Sequence, residues 1–132
     1  MEEQAINSIP ETTPRKILIL LDNLFFAAKI NQAAALAGAK PIYAKTPTQA
    51  LLRAHAENPF LIIVDLDAAK CAPMEFLLQV KTDPVLQTIP TLGFASHVNT
   101  GVQQQAREAG CDRIMARSAF DRNLATLFGQ NS

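Results

Sequence analysis

The chain has 132 residues, within the usual size of one domain, and its 48% hydrophobic content is enough for one core. Twelve Lys plus Arg balance twelve Asp plus Glu, leaving a net charge of zero. That excludes the basic excess of an electrostatic nucleic-acid binder and of a polybasic membrane-surface protein. No apolar run approaches the roughly 18 residues needed to span a bilayer, so no membrane partner is expected.

Residues 1–14 are polar and acidic and contain Pro10 and Pro14. They lack the basic and apolar regions of a secretion signal and are expected to be a disordered arm ahead of a single domain over residues 15–130. Strand-like and helix-like patterns then alternate. The run Ile17–Leu21 is short and wholly apolar, as in a strand buried on both faces, and it ends at Asp22-Asn23. A helix is expected from about Leu24 to Ala37, with Phe26, Ile30, Ala33 and Ala37 on its inner face and Gly38 as C-cap. Phe25 and Phe26 open it, and both are expected to be at least partly buried.

Pro41–Ala44 reads as a short strand. Thr46-Pro47-Thr48-Gln49 has the grammar of a helix start: a capping Thr, a Pro at the first helical position and a Gln closing a capping box. Asn58-Pro59 ends that helix, which places His55 on the surface. Phe60–Val64 is a second fully apolar strand, ending at Asp65-Leu66-Asp67. Pro73 starts the next helix, with Leu77 and Val80 inward. Pro90–Ala95 is the fourth strand. Asn99 or Thr100 caps a helix running to about Gly110. Arg113–Ala116 is the fifth strand, and Phe120–Phe128 the last helix. Cys71 and Cys111 lack metal-site spacing and read as free thiols of a reducing cytoplasm, a disulfide staying open.

Five strands separated by helices imply a doubly wound α/β domain with a parallel sheet and right-handed crossovers. In such sheets, function concentrates at the carboxyl ends of the strands. That rule selects Asp22 and Asn23, Asp65 and Asp67, Ser96 and His97, and Arg117 and Ser118. Two aspartates at the ends of neighbouring strands repel each other unless a cation lies between them. A hard cation such as Mg²⁺ suits their oxygens, and a carboxylate so placed can act as a nucleophile toward a phosphoryl group. The same aspartates also suit solvated strand ends or helix caps. His97, near this end, reads as a polar loop residue.

The order of these elements, with Leu21-Asp22, Val64-Asp65-Leu66, Ala95-Ser96, Arg117-Ser118 and the turn Ala109-Gly110-Cys111-Asp112, resembles the response-regulator receiver (CheY-like) family over about residues 15–128. The resemblance implies a flavodoxin-like (βα)5 fold with strand order 2-1-3-4-5. It places Asp65 at the phosphoacceptor position. Asp22 falls at a metal-ligand position, and the backbone carbonyl of Asp67 at another, so a weakly held Mg²⁺ is implied as cofactor. Arg117 stands where the family has a Lys and Ser118 where it has a Pro. Leu21 replaces the first acidic residue, and Ala95 the hydroxyl residue that contacts the phosphoryl group. Ser96 is its one nearby substitute, though a one-residue shift along a strand reverses the side-chain direction. Ile114 stands where many relatives carry a switching aromatic.

The family likeness therefore implies a stand-alone, atypical receiver of two-component signalling. It is expected to be no enzyme beyond self-phosphorylation at Asp65, and to act through protein contacts with impaired or absent phosphorylation switching. The alternative is a working Mg²⁺-dependent phosphoacceptor served by a histidine kinase. A more remote one is a flavodoxin-like ligand binder or small enzyme, which the lack of a Gly-rich phosphate loop disfavours. Expected partners are a histidine kinase or another signalling protein, with a second copy possible through the fourth helix, fifth strand and fifth helix, a face that would include Val102, Ala106, Met115 and Phe120, although internal packing is the expectation for Val102 and Ala106.

Overall fold

The computed structural model describes residues 15–96 and 100–129. The expected arm, His97, Asn99 and Gln130, the last residue of the expected domain, lie outside the described residues. Five strands form one parallel sheet: β1 (Arg15–Leu20), β2 (Ala39–Ala44), β3 (Leu61–Asp65), β4 (Thr91–Ala95) and β5 (Arg113–Ala116), in the order β2-β1-β3-β4-β5. The helices are α1 (Leu24–Ala37), α2 (Pro47–Glu57), α3 (Pro73–Thr82), α4 (Thr100–Glu108), α5 (Arg117–Arg122) and α6 (Leu124–Phe128), with a 3₁₀ turn at Ala69–Cys71. No described helix is long and apolar enough to cross a membrane.

Alternation along the strands splits the apolar residues between two cores. Leu18, Leu20, Ile62, Val64 and Ala95 pack with α2, α3 and α4. Ile17, Ile19, Ile63, Leu92 and Phe94 pack with α1, α5 and α6. A sheet covered on both faces needs apolar residues at successive positions, which explains the unbroken runs in β1 and β3.

Local chemistry sets the helix ends. The Asn23 side chain accepts from the Phe26 N–H and caps α1, and Gly38, at φ 71°, closes it. Thr46 Oγ1 accepts from Gln49 N at 3.1 Å, as the capping motif requires. The Gln49 side chain, however, accepts from Lys45 N at 2.9 Å, one residue before the cap residue itself. Leu77 and Val80 are buried, and His55 is exposed, bridged to Asp83 at 2.7 Å.

Four expectations need correction. Phe25 is 90% exposed, because the inward face of α1 runs through Phe26, Ile30 and Ala34 at four-residue intervals and turns Phe25 away. β2 begins at Ala39, since the parallel register pairs Ala39 with Arg15. The last helix begins at Arg117, not Phe120, and breaks at Asn123. A Pro at 118 would have pushed Arg117 out of helical geometry, and Ser118 imposes no such restriction. Finally, Phe120 is fully buried, so it serves a core and not an outer contact face, whereas Ala106 is buried as its internal-packing reading expected.

Candidate functional site at the carboxyl end of the sheet

β1 and β3 are neighbours, with Leu20 beside Val64, so Asp22 and Asp65 leave the sheet at the same end. They meet different surroundings. Asp22 is 41% exposed in its side chain, and its Oδ1 lies 3.7 Å from Lys45 Nζ, a residue that leaves the end of β2. Asp65 is 4% exposed. Its Oδ1 accepts from the Asp67 backbone N–H at 3.0 Å and from Arg117 Nη2 at 3.3 Å.

Arg117 reaches this carboxylate from the first position of α5. Its Nη2 also lies 3.6 Å from Asp67 Oδ2, so one guanidinium nitrogen serves two aspartates. The head group is positioned by an aromatic cluster. Phe94 stacks on Phe120 at 4.5 Å, Phe26 meets both edge-on, and the Arg117 guanidinium carbon lies 5.0 Å from the Phe94 ring centre and 5.4 Å from that of Phe26. Two cation–π contacts of about 0.5–1 kcal/mol each roughly offset the ~2 kcal/mol of rotamer freedom an arginine loses. The cation is thus held over Asp65 by the fold itself.

Asp67, whose backbone carbonyl the resemblance singled out, turns its side chain into the site: Oδ2 accepts from Ser96 N at 2.7 Å. Ser96 therefore supplies a backbone N–H here, and the residue lines a cleft with Phe26 and Arg117. Ala95 is buried in the opposite core, and Ile114 is half-buried against that same core. Leu66 crosses β4 so closely that a Cβ at Gly93 would stand 2.8 Å from its side chain. Small size at 93 is what admits the Asp65–Asp67 turn, and a glycine inside a strand was the sequence signal for that approach.

The electrostatics follow from burial. Desolvation pushes the Asp65 carboxyl above the ordinary aspartate range, and the Asp67 carboxylate pushes the same way. The Arg117 charge and the Asp67 N–H oppose them without restoring the usual value. The Cys71 thiol, buried below the same end, is raised first by burial and then by the charges of Asp22 and Asp65. Cys111 is likewise a free thiol, half-buried.

A Mg²⁺ ion requires near-octahedral oxygens at roughly 2.0–2.1 Å. The residues present do not fit it. Arg117 stands on Asp65, Lys45 stands by Asp22, and the Asp67 carbonyl already accepts from Ala69 N at 3.0 Å. Leu21, where the resemblance places another carboxylate, is buried in the α1-side core. Among the described residues no three His, Cys, Asp or Glu side chains group as a metal site.

Sequence reasoning singled out Asp22, Asp65, Asp67, Ser96 and Arg117, and all five lie at this end of the sheet. It missed Lys45, although the strand-end rule that selected the others applies equally to the residue after Ala44. It also missed the aromatic support of Arg117, which depends on three phenylalanines far apart in the chain.

No protein-family model matches the chain. It is similar to the polar-differentiation response regulator DivK of Brucella anthropi, 22% identical over 104 residues, which span 79% of this chain and 85% of that protein. Among solved structures, it is similar to the phosphorylated cyanobacterial phytochrome response regulator RcpA, with a TM-score of 0.72, 23% identity, and coverage of 89% of this chain and 90% of that one. It is also similar to the Mn²⁺-bound response regulator Rcp1, with a TM-score of 0.74, 17% identity, and coverage of 90% and 97%. The chain has the fold of a response-regulator receiver.

Proposed function

From this receiver fold we propose a module of two-component signalling that works through protein contacts and has lost phosphorylation as its switch. One observation carries the reading: the carboxylate at the phosphoacceptor position is buried and already paired with a guanidinium that the aromatic cluster holds in place. Transfer of a phosphoryl group to an aspartate needs an accessible carboxylate oxygen, and cations to take up the charge on the three phosphoryl oxygens. Here Asp65 Oδ1 faces Arg117, and the second cation nearby, Lys45, is turned to Asp22. The parts that would sense a phosphoryl group are also altered, with Ala95 offering no hydroxyl and Ile114 no aromatic ring.

Asp65, Asp67 and Arg117 then form an ion-paired cap on the sheet, with Asp22 paired to Lys45 beside it, and in this reading the Arg117 charge takes the place of the metal. The partner class is a histidine kinase or another signalling protein. RcpA is a phosphorylated relative and Rcp1 a metal-bound one, so the competing reading is a working phosphoacceptor. Incubation with Mg²⁺ and acetyl phosphate, followed by intact-mass measurement, decides between them. No phosphoryl adduct is expected on the native chain. An adduct that disappears in Asp65→Asn would overturn the proposal.

A further inference from the structure

Beside the acidic site, α1 and α5 border an open cleft of about 580 Å³, within the volume range of small-molecule pockets. Phe25 and Phe26 line it with aromatic rings, and Ser96 and Ser118 also border it. Its charged lining consists of Lys29, Arg117 and Asp121, two cations against one carboxylate. Lys29 and Asp121 pair with each other at 3.2 Å, both substantially exposed, which leaves Arg117 as the cation the cleft offers.

Three features make this a site and not a surface irregularity. Both aspartate contacts of Arg117 run through Nη2, so Nε and Nη1 take no part in them. The guanidinium carbon lies over the rings of Phe26 and Phe94, contacts that restrict the head group before any ligand arrives. Phe25, which lines the cleft, stands 90% exposed, a large apolar side chain left in water.

We propose that this cleft binds a small organic carboxylate bearing a flat apolar group, with the carboxylate on Arg117 and the apolar part against Phe25 and Phe26. A single negative charge matches the lining. A phosphate dianion matches it less well, because Asp65 and Asp67 stand directly behind the same guanidinium. The cleft shares Arg117 with the site on Asp65 and so rests on that reading of Arg117, but the two fail distinguishably, since binding is read by chemical shift and phosphorylation by mass.

The test is a titration of isotope-labelled protein with phenylacetate, followed by NMR, with phenylacetamide and phenyl phosphate as controls. Saturable shifts are expected at Phe25, Phe26, Ser96, Ser118 and the Arg117 side chain. Phenyl phosphate should bind more weakly and phenylacetamide not at all. Arg117→Gln should weaken phenylacetate by roughly tenfold or more, as loss of a charged hydrogen bond does. Phe25→Ala, whose side chain supports no core, should weaken it several-fold with the fold unchanged. The absence of saturable shifts with phenylacetate, or binding that persists equally in both variants, would overturn the proposal. So would shifts of the same residues that depend on protein concentration alone, which would assign the cleft to a second copy of the chain.

Discussion

Two aspartates at opposite ends of the sheet show how the same side chain is put to different uses. Asp112, just before β5, accepts from Thr91 N at 2.9 Å, Thr91 Oγ1 at 3.1 Å and Lys81 Nζ at 3.0 Å. Desolvation raises its carboxyl, but these bonds outweigh burial and bring it below the ordinary range. Asp65, at the carboxyl end, is more deeply buried, shares one guanidinium nitrogen with a second carboxylate, and stays above that range. Asp112 is charged because its surroundings favour the charge, and it ties two strands together. Asp65 sits where burial opposes its charge, the condition that marks candidate functional groups.

The largest expected effect is at the satisfied end. Asp112→Ala strands the N–H and hydroxyl of Thr91, itself 1% exposed, and is expected to cost about 2–3 kcal/mol in urea denaturation. A near-neutral result would dissolve the contrast between the two ends. Arg117→Ala comes next, leaving Asp65 and Asp67 without their shared cation. With the Arg117 side chain 37% exposed, solvent reduces the loss, expected at about 1–2 kcal/mol at neutral pH. The loss should shrink in acid as Asp65 takes up a proton.

The smallest change has the opposite sign. Asp65→Asn removes a buried charge and is expected to stabilise by about 1 kcal/mol at neutral pH. The folded carboxyl titrates above its unfolded value, so the folded state holds the proton longer. Wild-type stability should therefore fall relative to Asp65→Asn as pH rises from about 4, the unfolded value, through the raised folded one. Thermal denaturation of the two proteins across that window measures the difference.

Much of this architecture could be read in the sequence, for identifiable reasons. Uninterrupted apolar runs such as Ile17–Leu21 mark strands buried on both faces, and Gly38, Thr46 and Pro47 mark helix ends through local chemistry alone. Local signals also located Asp22, Asp65 and Arg117, because strand ends are where parallel sheets expose chemistry. What they left out was pairwise and distant. Whether Asp22 faces Asp65 or Lys45 depends on the packing of three strand ends. The place of Arg117 depends on Phe26, Phe94 and Phe120 converging from three elements. Phe25 and Phe26 are adjacent in sequence, and only the phase of α1 against the sheet decides which is buried.

The central claim is that Arg117, and not a divalent cation, answers the charge of Asp65. Carboxyl-carbon NMR of Asp65, followed against pH with and without millimolar Mg²⁺, tests it most directly. The predicted result is a midpoint above that of an ordinary aspartate, unchanged by the metal and raised further in Arg117→Gln. A midpoint that Mg²⁺ drives downward, with Arg117→Gln having no effect of its own, would contradict the account.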